Sequence, residues 1–144
     1  MKTETSKSTA AIRAIKPADL TAKMLEAWNR ILSENGDLAS PFFSPVYARI
    51  LAESEPATEV GVMEIDGEPV AFLPFNRGDH QIAKRMRLSD YEGFVAPKGL
   101  QLDPAAFVKG CGLAAWDFNH LIAEQSWLKP FHRLSTHSCV MDLL

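Results

Sequence analysis

The sequence predicts an α/β domain of the α+β kind, with helices flanking a mixed, mostly antiparallel sheet. Three observations carry that expectation. Apolar residues recur at helical spacing between Leu20 and Leu32, whereas from Thr58 the period changes to two, leading to Asp66-Gly67 and then the run Val70-Ala71-Phe72-Leu73-Pro74-Phe75. A chain of 144 residues with 47% hydrophobic and 23% charged content is long enough to bury one core.

Residues 1–10 are polar and rich in Ser, Thr and Lys, which predicts a disordered tail before a single domain over residues 11–144. Residues 11–15 read as a short strand stopped by Lys16-Pro17, and Pro17 suits the first turn of a helix, where its missing N–H costs nothing. Leu20, Met24, Ala27, Trp28, Ile31 and Leu32 share one helical face, and Asn35-Gly36 supplies the stop. After the apolar link Ser40-Pro41-Phe42-Phe43, Ser44-Pro45 caps a second helix expected to turn Val46, Tyr47, Ile50 and Leu51 inward until Pro56.

Val60, Val62 and Met63-Glu64-Ile65, the turn Asp66-Gly67, and Val70-Ala71-Phe72-Leu73-Pro74-Phe75 read as a β-hairpin. A further strand is expected over residues 81–88 and an extended segment over 91–95. Asp103-Pro104 starts a helix through Ala105, Ala106, Phe107 and Val108, ended by Gly110 or Gly112. Ala115-Trp116-Asp117-Phe118-Asn119-His120-Leu121 alternates apolar and polar as a strand does, and residues 134–143 read as a last β-segment.

The net charge of −3 provides no basic field for a phosphate backbone, so no nucleic-acid partner is expected. The N-terminal segment lacks the apolar core of a signal peptide and no window could span a bilayer, so the expectation is a cytoplasmic protein without membrane insertion. Cys111 and Cys139 are expected to stay reduced. His132, His137 and Cys139, even with Cys111, lack the spacing of a zinc site, so no metal is expected.

Several segments match one family in order along the chain: Trp28 on the first long helix, Ser40-Pro41-Phe42-Phe43-Ser44-Pro45-Val46-Tyr47, Val70-Ala71-Phe72-Leu73-Pro74-Phe75 after Asp66-Gly67, Ser89-Asp90-Tyr91-Glu92-Gly93, and Trp116-Asp117-Phe118-Asn119-His120-Leu121. In these the chain resembles the N-terminal lobe of the GNAT-type acetyltransferases associated with bacterial cellulose and exopolysaccharide biosynthesis. That family is related to the FemAB-like peptidyl transferases and usually carries two GNAT-like lobes. The resemblance implies a GNAT-like fold, acetyl-CoA or another acyl-CoA as cofactor, and a small-molecule or sugar substrate such as a cell-envelope precursor. Val140-Met141-Asp142-Leu143 looks like the segment that closes the first lobe, which implies a second GNAT-like lobe or a homo-oligomer as partner.

Such an enzyme holds the acyl-CoA pyrophosphate on backbone N–H groups of a glycine-rich turn that opens a helix. Lys109-Gly110-Cys111-Gly112 has the glycines and a cation but sits where a helix cap belongs, and Arg77-Gly78-Asp79-His80 reads more simply as a turn. The cofactor-binding residues therefore stay unassigned. The catalytic candidates are Asp90, Tyr91 and Glu92, with Asp117 and His120. A carboxylate among the first three can accept a proton from an attacking amine or hydroxyl, and Tyr91 can protonate a departing thiolate; the other reading is an Asx-type turn with Tyr91 packed beneath it. Asp117 and His120 either line a substrate groove or form the solvated side of an edge strand. Three functions stay open: an acyltransferase module, a non-catalytic GNAT-like half that needs a partner, and an unrelated domain of coincidental similarity.

Overall fold

The computed structural model describes residues 9–137. Five strands, β1 (Ala10–Ile15), β2 (Thr58–Ile65), β3 (Glu68–Arg77), β4 (Ile82–Lys84) and β5 (Ala115–Trp116), form one sheet in that order. Every neighbouring pair is antiparallel except β4 and β5, which run parallel. Helices α1 (Ala22–Glu34) and α2 (Pro45–Ser54) precede the hairpin, and α3 (Pro104–Gly110) crosses between the two parallel strands.

Alternation along the strands separates two cores. Val60, Val62, Phe72 and Val95 meet Met24, Trp28 and Ile31 of α1 and Ala48 of α2 on one face. Ala71, Leu73, Phe75 and Phe94 meet Phe107 of α3 on the other. Trp28 is fully buried, stacks on Phe72 with ring centroids 4.7 Å apart, and donates its indole N–H to the Phe43 carbonyl at 2.8 Å. On the opposite face α3 lies very close to the sheet. A Cβ on Gly61 would come within 2.6 Å of the Phe107 ring, and one on Gly110 within 2.6 Å of Ile12.

The hairpin forms where the sequence places it. Asp66 and Gly67 both have positive φ, 52° and 80°, as a two-residue turn between twisted strands requires. Pairing jumps from Met63 opposite Ala71 to Glu64 opposite Pro69, so Val70 is the extra residue of a bulge.

Other expectations are corrected. Pro17 opens a 3-10 turn, Pro17–Asp19, and α1 starts later, capped by the Thr21 hydroxyl, which accepts from the Met24 N–H at 3.2 Å. The stop of α1 does fall at Asn35-Gly36 as expected, with Asn35 as its cap; the Asn35 Oδ1 accepts from the Asp37 N–H and its Nδ2 donates to the Ala96 carbonyl. Helix α2 is rotated from the expected setting. Pro45 and Ala48 face the core and Tyr47 and Leu51 pack against it as expected, while Val46 and Ile50 are 61% and 58% exposed. In α3 only Phe107 is fully buried, and Ala105 and Ala106 face outward.

The strand expected over residues 81–88 is limited to β4, and the one over 115–121 to β5. Residues 134–137 form no strand, and the rest of that expected segment, like Cys139 and residues 1–8, lies outside the described residues. A 3-10 turn, Ser126–Phe131, follows β5 without having been expected. No helix among the described residues is long and apolar enough to cross a membrane.

Candidate functional site

The outer strand ends early for a reason found on its neighbour. Asn76 of β3 faces Lys84, but Phe72 faces Val95, so eleven steps of the outer chain run against four of β3. Pro74 lies between those two positions and has no N–H to offer a partner strand. Residues 85–91 leave the ladder there, and pairing resumes at Glu92.

The excursion is tied down at several points. The Tyr47 hydroxyl of α2 donates to the Arg87 carbonyl at 2.6 Å, Arg85 Nη1 donates to the Ser89 carbonyl at 3.0 Å, and the Ser89 hydroxyl donates to the Tyr91 carbonyl. Leu88 is exposed in the left-handed region at φ 61°, a conformation costly for a leucine. Phe42, Phe43, Pro74, Met86, Tyr91 and Glu92 line a small hollow beneath the excursion.

Glu92 is the centre of this region. It is 8% exposed, its N–H donates to the His120 carbonyl at 2.8 Å, and its own carbonyl accepts from the Ile122 N–H at 3.0 Å. Its Oε2 accepts the N–H groups of Asn119 at 2.7 Å and His120 at 3.0 Å. Burial pushes the carboxyl above the usual carboxylate range; those two N–H groups and the charges of Arg85 and His120 pull the other way without cancelling it. Arg85 Nη1 lies 3.3 Å from His120 Nδ1.

The fold thus joins Glu92 to His120 across the parallel bridge, with Tyr91 beside them. Tyr91 is half-buried, its ring 6.4 Å from that of Phe42, and Asp90 is exposed at the outer end of the excursion. The local turn bond comes from Ser89 rather than Asp90. Asp117 is exposed beyond β5, its N–H on the Ala83 carbonyl, and does not line the hollow. The alternating segment that holds Asp117 and His120 is therefore not one strand face, because its chain leaves the ladder after Trp116. Sequence reasoning passed over Arg85 and named Tyr47 only within the Ser40–Tyr47 segment, since each gains its role here from a contact at least 35 residues away. Burial, followed by the charges of Glu55 and Asp90, raises the Tyr47 hydroxyl above its ordinary value.

The residues around α3 do not fit an acyl-CoA pyrophosphate. The Asp103 carboxylate accepts the first free N–H groups of the helix, those of Ala105 at 3.0 Å and Ala106 at 3.2 Å, and places a negative charge where a phosphate would sit. Gly110 is packed on Ile12, and Gly112, at φ 68°, ends the helix, so the pair serves packing and capping. Cys111 is buried and its thiol is pushed up to about 12, which leaves it inert as a nucleophile.

A solved structure, a ribosomal-protein-alanine N-acetyltransferase from Brucella melitensis biovar Abortus 2308, aligns with 94% of this chain and 99% of its own at a TM-score of 0.50 and 10% identity. At that identity the likeness is one of fold. The chain has a GNAT-like fold, with a mixed, mostly antiparallel sheet and flanking helices. No protein-family profile matches the sequence, and no curated protein does.

Proposed function

We propose that this chain is the acceptor half of a cytoplasmic GNAT-like acyltransferase. It holds the amine or hydroxyl of a sugar or cell-envelope precursor at the hollow beneath residues 85–91, and a second GNAT-like lobe brings the acyl-CoA. The observation that carries this reading is Glu92, a buried carboxylate in the wall of a hollow, whose carboxyl burial raises above the usual carboxylate range. With Oε2 held by two backbone N–H groups, Oε1 takes the proton of the attacking acceptor. Tyr91 walls the hollow, and His120 lies beside Glu92, its backbone N–H on Oε2. Asp90 stands at its outer side, and Asp117 takes no part in the proton transfer. Donor binding is assigned to another lobe because Asp103 occupies the helix end that phosphates would need.

A second reading is a complete single-lobe acyl-CoA enzyme. It is favoured by the match to the Brucella acetyltransferase over almost the whole of that chain. A thermal-shift titration with acetyl-CoA, controlled by free CoA and ATP, separates the two, because a ligand that binds only the folded state raises its stability. The expected result is no CoA-specific rise up to millimolar concentrations. A saturable rise specific to CoA compounds would replace the first reading by the second.

A further inference from the structure

We infer that Gln125 is a built-in occupant of the wedge between the two parallel strands, and that it closes this edge to the amide-bearing arm of an acyl-CoA. Parallel pairing joins Ile82 to Ala115 and Ala83 to Trp116, and after both chains have left the ladder it recurs as a single bridge of Glu92 with Leu121. In a regular ladder the next N–H and C=O on that side of the outer strand, those of Phe94, would pair with the neighbouring backbone. The neighbour instead turns away into Ser126–Phe131.

The side chain of Gln125 makes both missing bonds. Its Oε1 accepts the Phe94 N–H at 2.9 Å and its Nε2 donates to the Phe94 carbonyl at 2.6 Å, with the residue only 8% exposed. A primary amide thus stands where a strand's peptide group, or a ligand's secondary amide, would pair. Gly93 makes room for it. It holds φ 154°, and a Cβ there would approach Gln125 Oε1 to 2.9 Å.

An extended amide ligand laid along this edge has to remove two buried hydrogen bonds, and would leave Phe94 unpaired if it failed to replace both. The adjoining cleft offers no compensating cation, because Lys98 on its wall is engaged with Asp37 at 3.4 Å. The inference concerns the wedge alone and stands whether or not Glu92 accepts a proton.

The test is amide-resolved NMR on the isotope-labelled full chain. In Gln125→Ala the Phe94 amide should exchange roughly tenfold faster or more, while Ile122, bonded to the Glu92 carbonyl, keeps its protection. In the wild type, acetyl-CoA up to millimolar concentrations should leave the Phe94 amide and the Gln125 side-chain signals unmoved. Saturable movement of those signals would overturn the inference, and this arm holds even if the variant fails to fold. Acetyl-CoA binding with both signals still would uphold the plug and overturn only the assignment of the donor to a second lobe.

Discussion

Glu59 on β2 and Glu92 beside β4 are both largely removed from water, yet their carboxyls move in opposite directions. Burial pushes Glu59 up, but Arg77 and Lys16 outweigh it and hold the group below the usual range. Arg77 reaches its Oε2 with Nε at 3.0 Å and Nη2 at 2.7 Å. At Glu92 burial wins, because the groups bonded to the carboxylate are two backbone N–H dipoles. A carboxylate met by a full opposite charge becomes a structural fastener. One bonded to dipoles, with no cation on its oxygens, is left raised by its burial.

The surroundings repeat the contrast. Arg77 also donates to the carbonyls of Cys111 and Gly112 at 2.9 and 3.2 Å and to Gln81 at 2.7 Å, riveting the end of α3 to β3. Around Glu92 the strand is interrupted, Leu88 holds a costly backbone conformation, and a hollow opens.

The largest effect that would break this comparison is functional. Assayed together with the lobe that brings the acyl-CoA, and followed as thiol released from acetyl-CoA, Glu92→Gln should lower turnover by roughly 10²–10⁴-fold, the usual worth of a general base. Unchanged turnover would reduce Glu92 to a buried structural acid.

Next comes stability. Arg77→Ala strands Glu59 and frees the carbonyls at the end of α3, so denaturant unfolding should show a loss of about 2–3 kcal/mol. Glu92→Gln should stay within about 1 kcal/mol of the wild type, since it removes a burial cost and keeps an acceptor for the two N–H groups. Equal losses in the two variants would erase the distinction.

The smallest effect is the sign of two pH slopes. Glu92 is raised in the folded state, so its contribution is greatest below the ordinary carboxylate range and declines as pH rises through the raised value. Glu59 is lowered, so its contribution is complete above the ordinary range and is lost as pH falls through the lowered value. Unfolding measured across the acid range should lose the first slope in Glu92→Gln and the second in Glu59→Gln. A slope of the same sign at both sites would contradict the assignment.

Signals that act within a few residues determined much of this molecule from sequence alone. Asp66-Gly67 set the hairpin because both positions need positive φ. Ser44-Pro45 and Asp103-Pro104 set two helix starts because each cap oxygen takes N–H groups two or three residues ahead. Glu92 was legible as one of three neighbouring candidates, but not as the one that burial would single out.

What tertiary structure alone decided involves partners distant in the chain. Pro74 on β3 ends β4 by withholding an N–H from a strand eight residues and more away, and the resulting excursion draws in Tyr47 and Arg85. Helix α2 turns Val46 and Ile50 outward because Pro45 and Ala48, with Tyr47 and Leu51, take the face that meets the core. Asp117 leaves the site and Gln125 closes the wedge because the chain after Trp116 departs from the ladder. Caps and turns are satisfied by atoms close in sequence, so sequence patterns record them; a long-range hydrogen bond depends on which backbone group the rest of the fold leaves unpaired.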